Sequence, residues 1–162
     1  MRAPFQVLVI PFRRTPADVQ FVVLKRSDAG WWQFVAGGGE DEESPLQAAQ
    51  RETKEEIGIA VHGSLIQLDS MATIPKRCFA AAGSWDENVF VIPEYGFAVD
   101  IGSADITLSA EHTEFQWAGY EEVIRLLKWD SNRNALWELN ERLKKKQNSG
   151  MVHNDENSAL HI

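Results

Sequence analysis

The sequence predicts an α/β fold, a mixed β-sheet flanked by helices, and three observations carry that prediction. Short β-branched runs lie on both sides of a strongly patterned acidic helix near the middle of the chain. Two further helical patterns follow the last strand-like run. With 162 residues, 44% of them hydrophobic, the chain has one domain's worth of sequence and enough apolar content for a sizeable core.

In chain order, Gln6 to Phe12 (QVLVIPF) and Gln20 to Arg26 (QFVVLKR) read as a strand pair joined by the turn-like RRTPAD. Asp28-Ala29-Gly30 ends the second run, and Trp31 to Ala36 reads as a short strand leading to Gly37-Gly38-Gly39. Ser44 is a good N-cap, Pro45 is allowed at the first helical position, and Gly58 is compatible with a left-handed helix stop. A helix is therefore predicted over residues 45–57.

Beyond it, Ile59 to Val61 and Leu65 to Leu68 are strand candidates, and Ser70 to Ser84 reads as a loop or lid. Asn88 to Ile92 and Tyr95 to Asp100 are strand-like, with Pro93 restricting them to an edge or a bend. Phe115 to Ala118 is a last short strand, and Tyr120 to Lys128 a helix with Val123, Leu126 and Leu127 on one side. A final helix is expected from a cap at Asp130 or Ser131 to about Lys146, burying Ala135, Leu136, Leu139 and Leu143. The expected organisation is one domain over residues 1–146 and a flexible tail over 147–162.

The central helix carries the chemistry. At about 100° per residue, Leu46, Ala49, Thr53 and Ile57 share one stripe, the face expected to pack on the core. Glu52 and Glu56 lie one turn apart on a neighbouring face, with Glu55 beside them and Arg51 further round. Carboxylates crowded in this way repel, so such a face either lies in open water or holds a cation. A hard divalent ion suits it, because such ions take oxygen ligands and leave coordination positions for phosphate.

Composition excludes several classes. The formal net charge of −8 and a pI near 5.0 argue against a broad nucleic-acid footprint, which needs clustered Lys and Arg. No stretch approaches the length of a membrane span, and the N-terminal residues do not pattern as a signal peptide. Cys78 is the single cysteine, so a reducing cytoplasm is the simplest home. Its expected role is a small buried or half-buried side chain with no positioned base, not a nucleophile.

The order Gly37, Glu43, Arg51-Glu52, Glu55-Glu56 and Gly58-Ile59 resembles the Nudix box, G-x5-E-x7-R-E-U-x-E-E-x-G-U. Every defined position matches except the first aliphatic one, where Thr53 stands. The resemblance implies a Nudix-type α/β/α sandwich over roughly residues 3–145. It implies Mg²⁺ (or Mn²⁺) held by Glu52, Glu55 and Glu56, and Arg51 orienting Glu43. Catalytic candidates are Glu56, Glu52, Arg51 and Glu111; Glu111 is the candidate fourth metal ligand, with Glu114 its rival. Either Glu56 or Glu111 can serve as the base.

Substrate-binding candidates are Gly37 and Gly38 in the glycine turn, the strand-end cations Arg2, Lys25 and Arg26, and Trp32 as a pocket wall; Glu43 and Gly58 support the box. The run LKWDSNRNALWEL, together with Glu111-His112, resembles the dATP and dihydroneopterin triphosphate pyrophosphohydrolase branch. The implied activity is hydrolysis of a nucleoside-triphosphate-like substrate to a monophosphate and pyrophosphate. Alternatives are a diphosphate-linked compound such as ADP-ribose or a dinucleoside polyphosphate, RNA 5′-end processing, and a non-catalytic nucleotide sensor. The expected partner is a small-molecule polyphosphate, and a homodimer is compatible with the sequence.

Overall fold

The alternation of residues along the first two strands builds a sheet with two buried faces. The computed structural model describes residues 1–158, with strands β1 (Arg2–Arg14), β2 (Val19–Arg26), β3 (Trp32–Gln33) and β4 (Val35–Glu40) before helix α1 (Pro45–Ile57). Strands β5 (Ile66–Pro75), β6 (Val91–Asp100) and β7 (His112–Ala118) follow, then helices α2 (Tyr120–Leu126) and α3 (Asp130–Ser158). The strand order is β3-β2-β1-β6-β5, with β4 also paired to β1 and β7 to β2. The β1–β6 pair is parallel and the others antiparallel, so the sheet is mixed.

Val7, Val9, Val22, Leu24, Phe97 and Val99 pack on one face with Ala48, Ala49 and Ile57 of α1. Their strand neighbours Leu8, Ile10, Phe12, Phe21, Val23 and Ala98 pack on the other with Val123, Ala135, Leu136, Leu139 and Leu143 of α2 and α3. Period-two alternation thus feeds two cores, and the molecule is an α/β/α sandwich.

Helix α1 has the predicted limits. Ser44 and Gln47 form a reciprocal capping box, and Gly58 closes the helix at φ 73°. Ala49, Thr53 and Ile57 are fully buried, but Leu46, in the first turn, is 45% exposed and Ala48 takes the core position instead. Thr53 is accommodated because its hydroxyl donates to the Ala49 carbonyl at 2.7 Å, satisfying its one polar atom inside the helix.

Several expectations are corrected. Ile59 to Val61 is irregular rather than a strand. Much of the expected Ser70 to Ser84 loop belongs to β5, and residues 76–84 leave the sheet, with two 3₁₀ turns at Lys76–Cys78 and Ala80–Ser84. Cys78, at the end of the first turn, is exposed rather than buried or half-buried. The β5 strand is broken in register between Gln67 and Met71. Glu138 of α3 repairs the break by accepting the N–H groups of Asp69 (2.9 Å) and Ser70 (2.7 Å).

Pro93 does not divide β6, because it lies beyond the last β1 pair, Gln6 with Glu94, where β6 is bonded to β5 alone. Helix α3 begins at Asp130 and continues past Lys146 to Ser158, so the expected tail from residue 147 is helical through that point. Residues 159–162 of that tail lie outside the described residues.

Candidate active site

The turn between β4 and α1 brings backbone and carboxylates into contact. A Cβ on Gly37 would fall 2.0 Å from the Glu52 carboxyl carbon, and one on Gly38 would land on the Arg2 guanidinium, so both positions need glycine for this approach. Arg51 locks the turn. Its Nε and Nη2 donate to the two Glu43 oxygens at 2.8 and 3.0 Å, Nη2 also reaches the Gly38 carbonyl at 2.7 Å, and Glu43 accepts from the Glu40 N–H at 2.9 Å. Arg51 is thus paired with Glu43, as the resemblance to the box implies.

The same guanidinium also donates from Nη1 to Glu52 (2.9 Å) and Glu55 (3.1 Å). Among the described residues, no three His, Cys, Asp or Glu side chains form a ready-made metal cage. Arg51 instead neutralises two of the box carboxylates. Burial pushes the Glu52 carboxyl above its ordinary range, and Arg51 offsets part of that.

Glu56 is the outlier. It is 2% exposed, and among the described residues no side chain hydrogen-bonds to either carboxylate oxygen, the Ala36 backbone being the one group that offsets its burial by hydrogen bonding. Burial, followed by repulsion from Glu52 and Glu111, pushes its pKa up to about 9. His112, the first residue of β7, lies with Nε2 3.9 Å from Glu56 Oε2 and has neither ring nitrogen bonded. Burial and then Arg26 pull the histidine down to about 4, so at neutral pH the pair is not an ion pair despite its proximity. A buried carboxylate with no side-chain partner, flanked by two more acidic groups, has the donor chemistry and the charge deficit that a divalent cation fits.

Glu111 is exposed on the loop before β7, where Ser27 N–H and Oγ donate to its carbonyl at 2.9 and 3.0 Å. Its charge raises both Glu52 and Glu56, so it faces the same acidic group. Glu114 is drawn away, pairing with Lys25 at 2.9 Å across β2 and β7.

Beside this acidic face lies a cavity of about 580 Å³ between the 3₁₀ turns, the start of α3 and the β2–β3 connection. Arg26 lines it, held in two parallel hydrogen bonds by Asp28 at 2.8 and 2.7 Å, and it also feels Glu111 and Glu56. Arg2 connects the cavity to the glycine turn. It covers Gly38, donates to Gln6 Oε1 at 2.5 Å, and sits 5.5 Å from the centre of the Phe79 ring.

Of the substrate-binding candidates, Arg26 lines the cavity; Gly37, Gly38 and Arg2 lie at the glycine turn outside its lining, and Lys25 and Trp32 are turned elsewhere. Lys25 is taken by Glu114, and Trp32 packs on the core with Lys25 5.9 Å from its ring. Strand alternation explains this, since neighbours on one strand face opposite sides. The cavity uses Trp31 and Trp129, set edge to face at 5.3 Å, and Phe79. The sequence reading missed Trp129, Glu94 and the burial of His112. A visible signal for Glu94 was its position as an acidic residue within the otherwise apolar run VIPEYGFAV.

Residues 4–139 match the NUDIX domain family. The chain belongs to the Nudix family. A Nudix hydrolase structure from Listeria monocytogenes is 52% identical, superposes with a TM-score of 0.80, and covers 89% of this chain and 97% of that one. The Dihydroneopterin triphosphate diphosphatase of Escherichia coli K12 is 28% identical over 137 residues, covering 83% of this chain and 91% of that protein. The structure of the E. coli dihydroneopterin triphosphate pyrophosphohydrolase superposes with a TM-score of 0.71 at 26% identity, covering 87% of this chain and 97% of that one.

An Octanoyltransferase of Myxococcus xanthus is 32% identical over 131 residues, 80% of this chain but only 34% of that protein. The Nudix chain thus spans about a third of the length of that relative. The matched family and the Nudix hydrolase structure at 52% identity make the chain a Nudix hydrolase; α1 is the box helix and carries Arg51, Glu52, Glu55 and Glu56, with Glu43 in the turn before it. Among the described residues no helix is long and apolar enough to cross a membrane.

Proposed function

We propose that this Nudix hydrolase is a Mg²⁺- or Mn²⁺-dependent pyrophosphohydrolase that cleaves a nucleoside-triphosphate-like compound, an NTP, a dNTP or dihydroneopterin triphosphate, to a monophosphate and pyrophosphate. The observation that carries the reading is the buried Glu56 carboxylate, without a side-chain partner among the described residues, beside Glu52 and Glu111. Glu52, Glu55, Glu56 and Glu111 are the residues that would hold the cation. When bound there, a divalent ion neutralises the phosphate chain and makes water a better nucleophile at neutral pH.

The chain's own groups do the rest. Arg2, over the glycine turn, and Arg26, between the acidic face and the cavity, meet phosphate oxygens. With a cation held by Glu52 and Glu55, Arg51 would still keep Glu43 and the Gly38 carbonyl, which hold the turn in place. A carboxylate of the acidic set takes the proton of the attacking water. The cavity accommodates the head group on the far side of the two arginines. The likeness to the E. coli enzyme named for dihydroneopterin triphosphate supports a triphosphate over a sugar-linked diphosphate.

The deciding experiment is product analysis over a panel of canonical, oxidised and pterin triphosphates with Mg²⁺ or Mn²⁺. Pyrophosphate and a monophosphate are expected, with activity abolished by EDTA. Efficient turnover of ADP-ribose or a dinucleoside polyphosphate, with no pyrophosphate from any triphosphate, overturns the reading.

A further inference from the structure

The cavity holds a carboxylate that the hydrolytic chemistry leaves unused. Glu94 follows Pro93 on β6, is 6% exposed, and lines the cavity. Burial pushes its carboxyl above the ordinary range and the hydrogen bond from Ser131 offsets part of that, with no cation among its influences. A buried carboxylate carries several acceptor sites and no donor, so one hydroxyl leaves most of its capacity for a ligand.

Asn132 and Ser131 stand behind Glu94 in a short polar chain. The Phe34 N–H donates to Asn132 Oδ1 at 3.2 Å, which turns the Asn132 amide nitrogen toward Ser131, where it donates to Oγ at 3.3 Å. The serine oxygen accepts there, which leaves its own proton free to give, and Ser131 is the side chain that offsets the effect of burial on Glu94. Asn132 is 3% exposed, so solvent does not compete with these bonds. Glu94 is thereby presented to the cavity as an acceptor, among the aromatic faces of Trp31, Phe79 and Trp129.

We propose that Glu94 is the specificity-determining residue of the cavity and accepts two adjacent N–H donors from a planar heterocycle. The matching edge is a ring N–H beside an exocyclic amino group, shared by guanine and pterins. Adenine and cytosine place a ring acceptor beside their amino group, which an ionised carboxylate repels. Uracil flanks a single N–H with two carbonyls. This inference rests on the reading of the site as a triphosphate hydrolase and adds the identity of the head group.

The test separates the two. In EDTA, guanosine and adenosine 5′-monophosphates are titrated calorimetrically into the wild type, Glu94→Gln and Ser131→Ala. The wild type is expected to prefer the guanosine nucleotide by about 10- to 100-fold, the range for a hydrogen-bonded charged group. Glu94→Gln should bring the two within about threefold, and Ser131→Ala should weaken the preference in the same direction without touching the carboxylate.

Under Mg²⁺, kcat/KM should fall from GTP to ITP, which lacks the amino group, and to ATP. Equal affinities in the wild type, no binding of either nucleotide at millimolar concentration, or an unchanged preference in Glu94→Gln overturns the assignment. Selective guanosine binding without release of pyrophosphate leaves Glu94 as the reader and removes the hydrolase reading instead.

Discussion

Glu56 Oε2 lies 3.9 Å from His112 Nε2, both side chains are buried, and among the described residues no side chain offers either of them a hydrogen bond. Two groups able to ionise thus stand side by side in their neutral forms, with the carboxyl pushed up to about 9 and the imidazole down to about 4. This is a poor arrangement for stability and a good one for receiving a cation.

A pH dependence follows for the metal-free protein. The folded-state pKa of Glu56 is raised from 4.5 to about 9, so the folded form holds the proton more tightly than the unfolded chain. Its contribution is intact below about 4.5 and is lost as pH rises through about 9. In EDTA, the thermal midpoint should decline across that window, and Glu56→Gln should remove that part of the decline. Equal slopes in the two proteins, measured by calorimetry from pH 5 to 9, would show that Glu56 is not the group responsible.

The same substitution should separate stability from activity. Glu56→Gln removes a proposed ligand yet keeps the side-chain shape, so turnover with Mg²⁺ should drop by several powers of ten while the metal-free fold is retained or stabilised. Lys54→Ala, on the exposed side of α1, should leave kcat within about twofold, since surface changes away from packed features have small effects.

Arg51→Lys tests the lock on the glycine turn. Lysine cannot reproduce the paired contacts to Glu43 while reaching the Gly38 carbonyl. We expect a loss of about 10- to 100-fold in kcat/KM, typical of groups that orient ligands, and a destabilisation of about 1–3 kcal/mol in urea.

Gly37→Ala should act on chemistry more than on folding. The new methyl meets the end of the Glu52 side chain, 2.0 Å from its carboxyl carbon, and a side-chain end can swing away. Stability should change by less than about 1 kcal/mol while activity falls steeply, because Glu52 is displaced. Equal losses of both would place the clash in the backbone instead.

Glu138→Ala addresses the break in β5. Partial burial pushes the Glu138 carboxyl up, but hydrogen bonds from Ser70 and Asp69 hold it below the ordinary range. Removing it leaves two backbone N–H groups without their acceptor, for an expected cost of about 1–3 kcal/mol by urea unfolding.

The course of α1 was legible from Ser44, Pro45 and Gly58, because capping and helix termination depend on residues within one turn. The two-sided sheet was legible from runs such as QVLVIPF, whose neighbours alternate between the cores. The continuation of β5 was not legible. An edge strand tolerates polar residues, and the acceptor that rescues Asp69 and Ser70 comes from Glu138, far along the chain.

Sequence alone determined the Nudix box and the acidic face of α1, consequences of short and regular spacings, and the resemblance to the box implied the pairing of Arg51 with Glu43. Tertiary structure decided that Glu56 would be buried against His112, that Arg51 would also bind Glu52 and Glu55, and that Trp31 rather than Trp32 would line the cavity. It also joined Phe34, Asn132 and Ser131 in one hydrogen-bonded chain beside the buried Glu94. The reason is geometric: helical spacing orients neighbours within a turn, whereas burial and distant contacts exist only once strand register brings remote segments together.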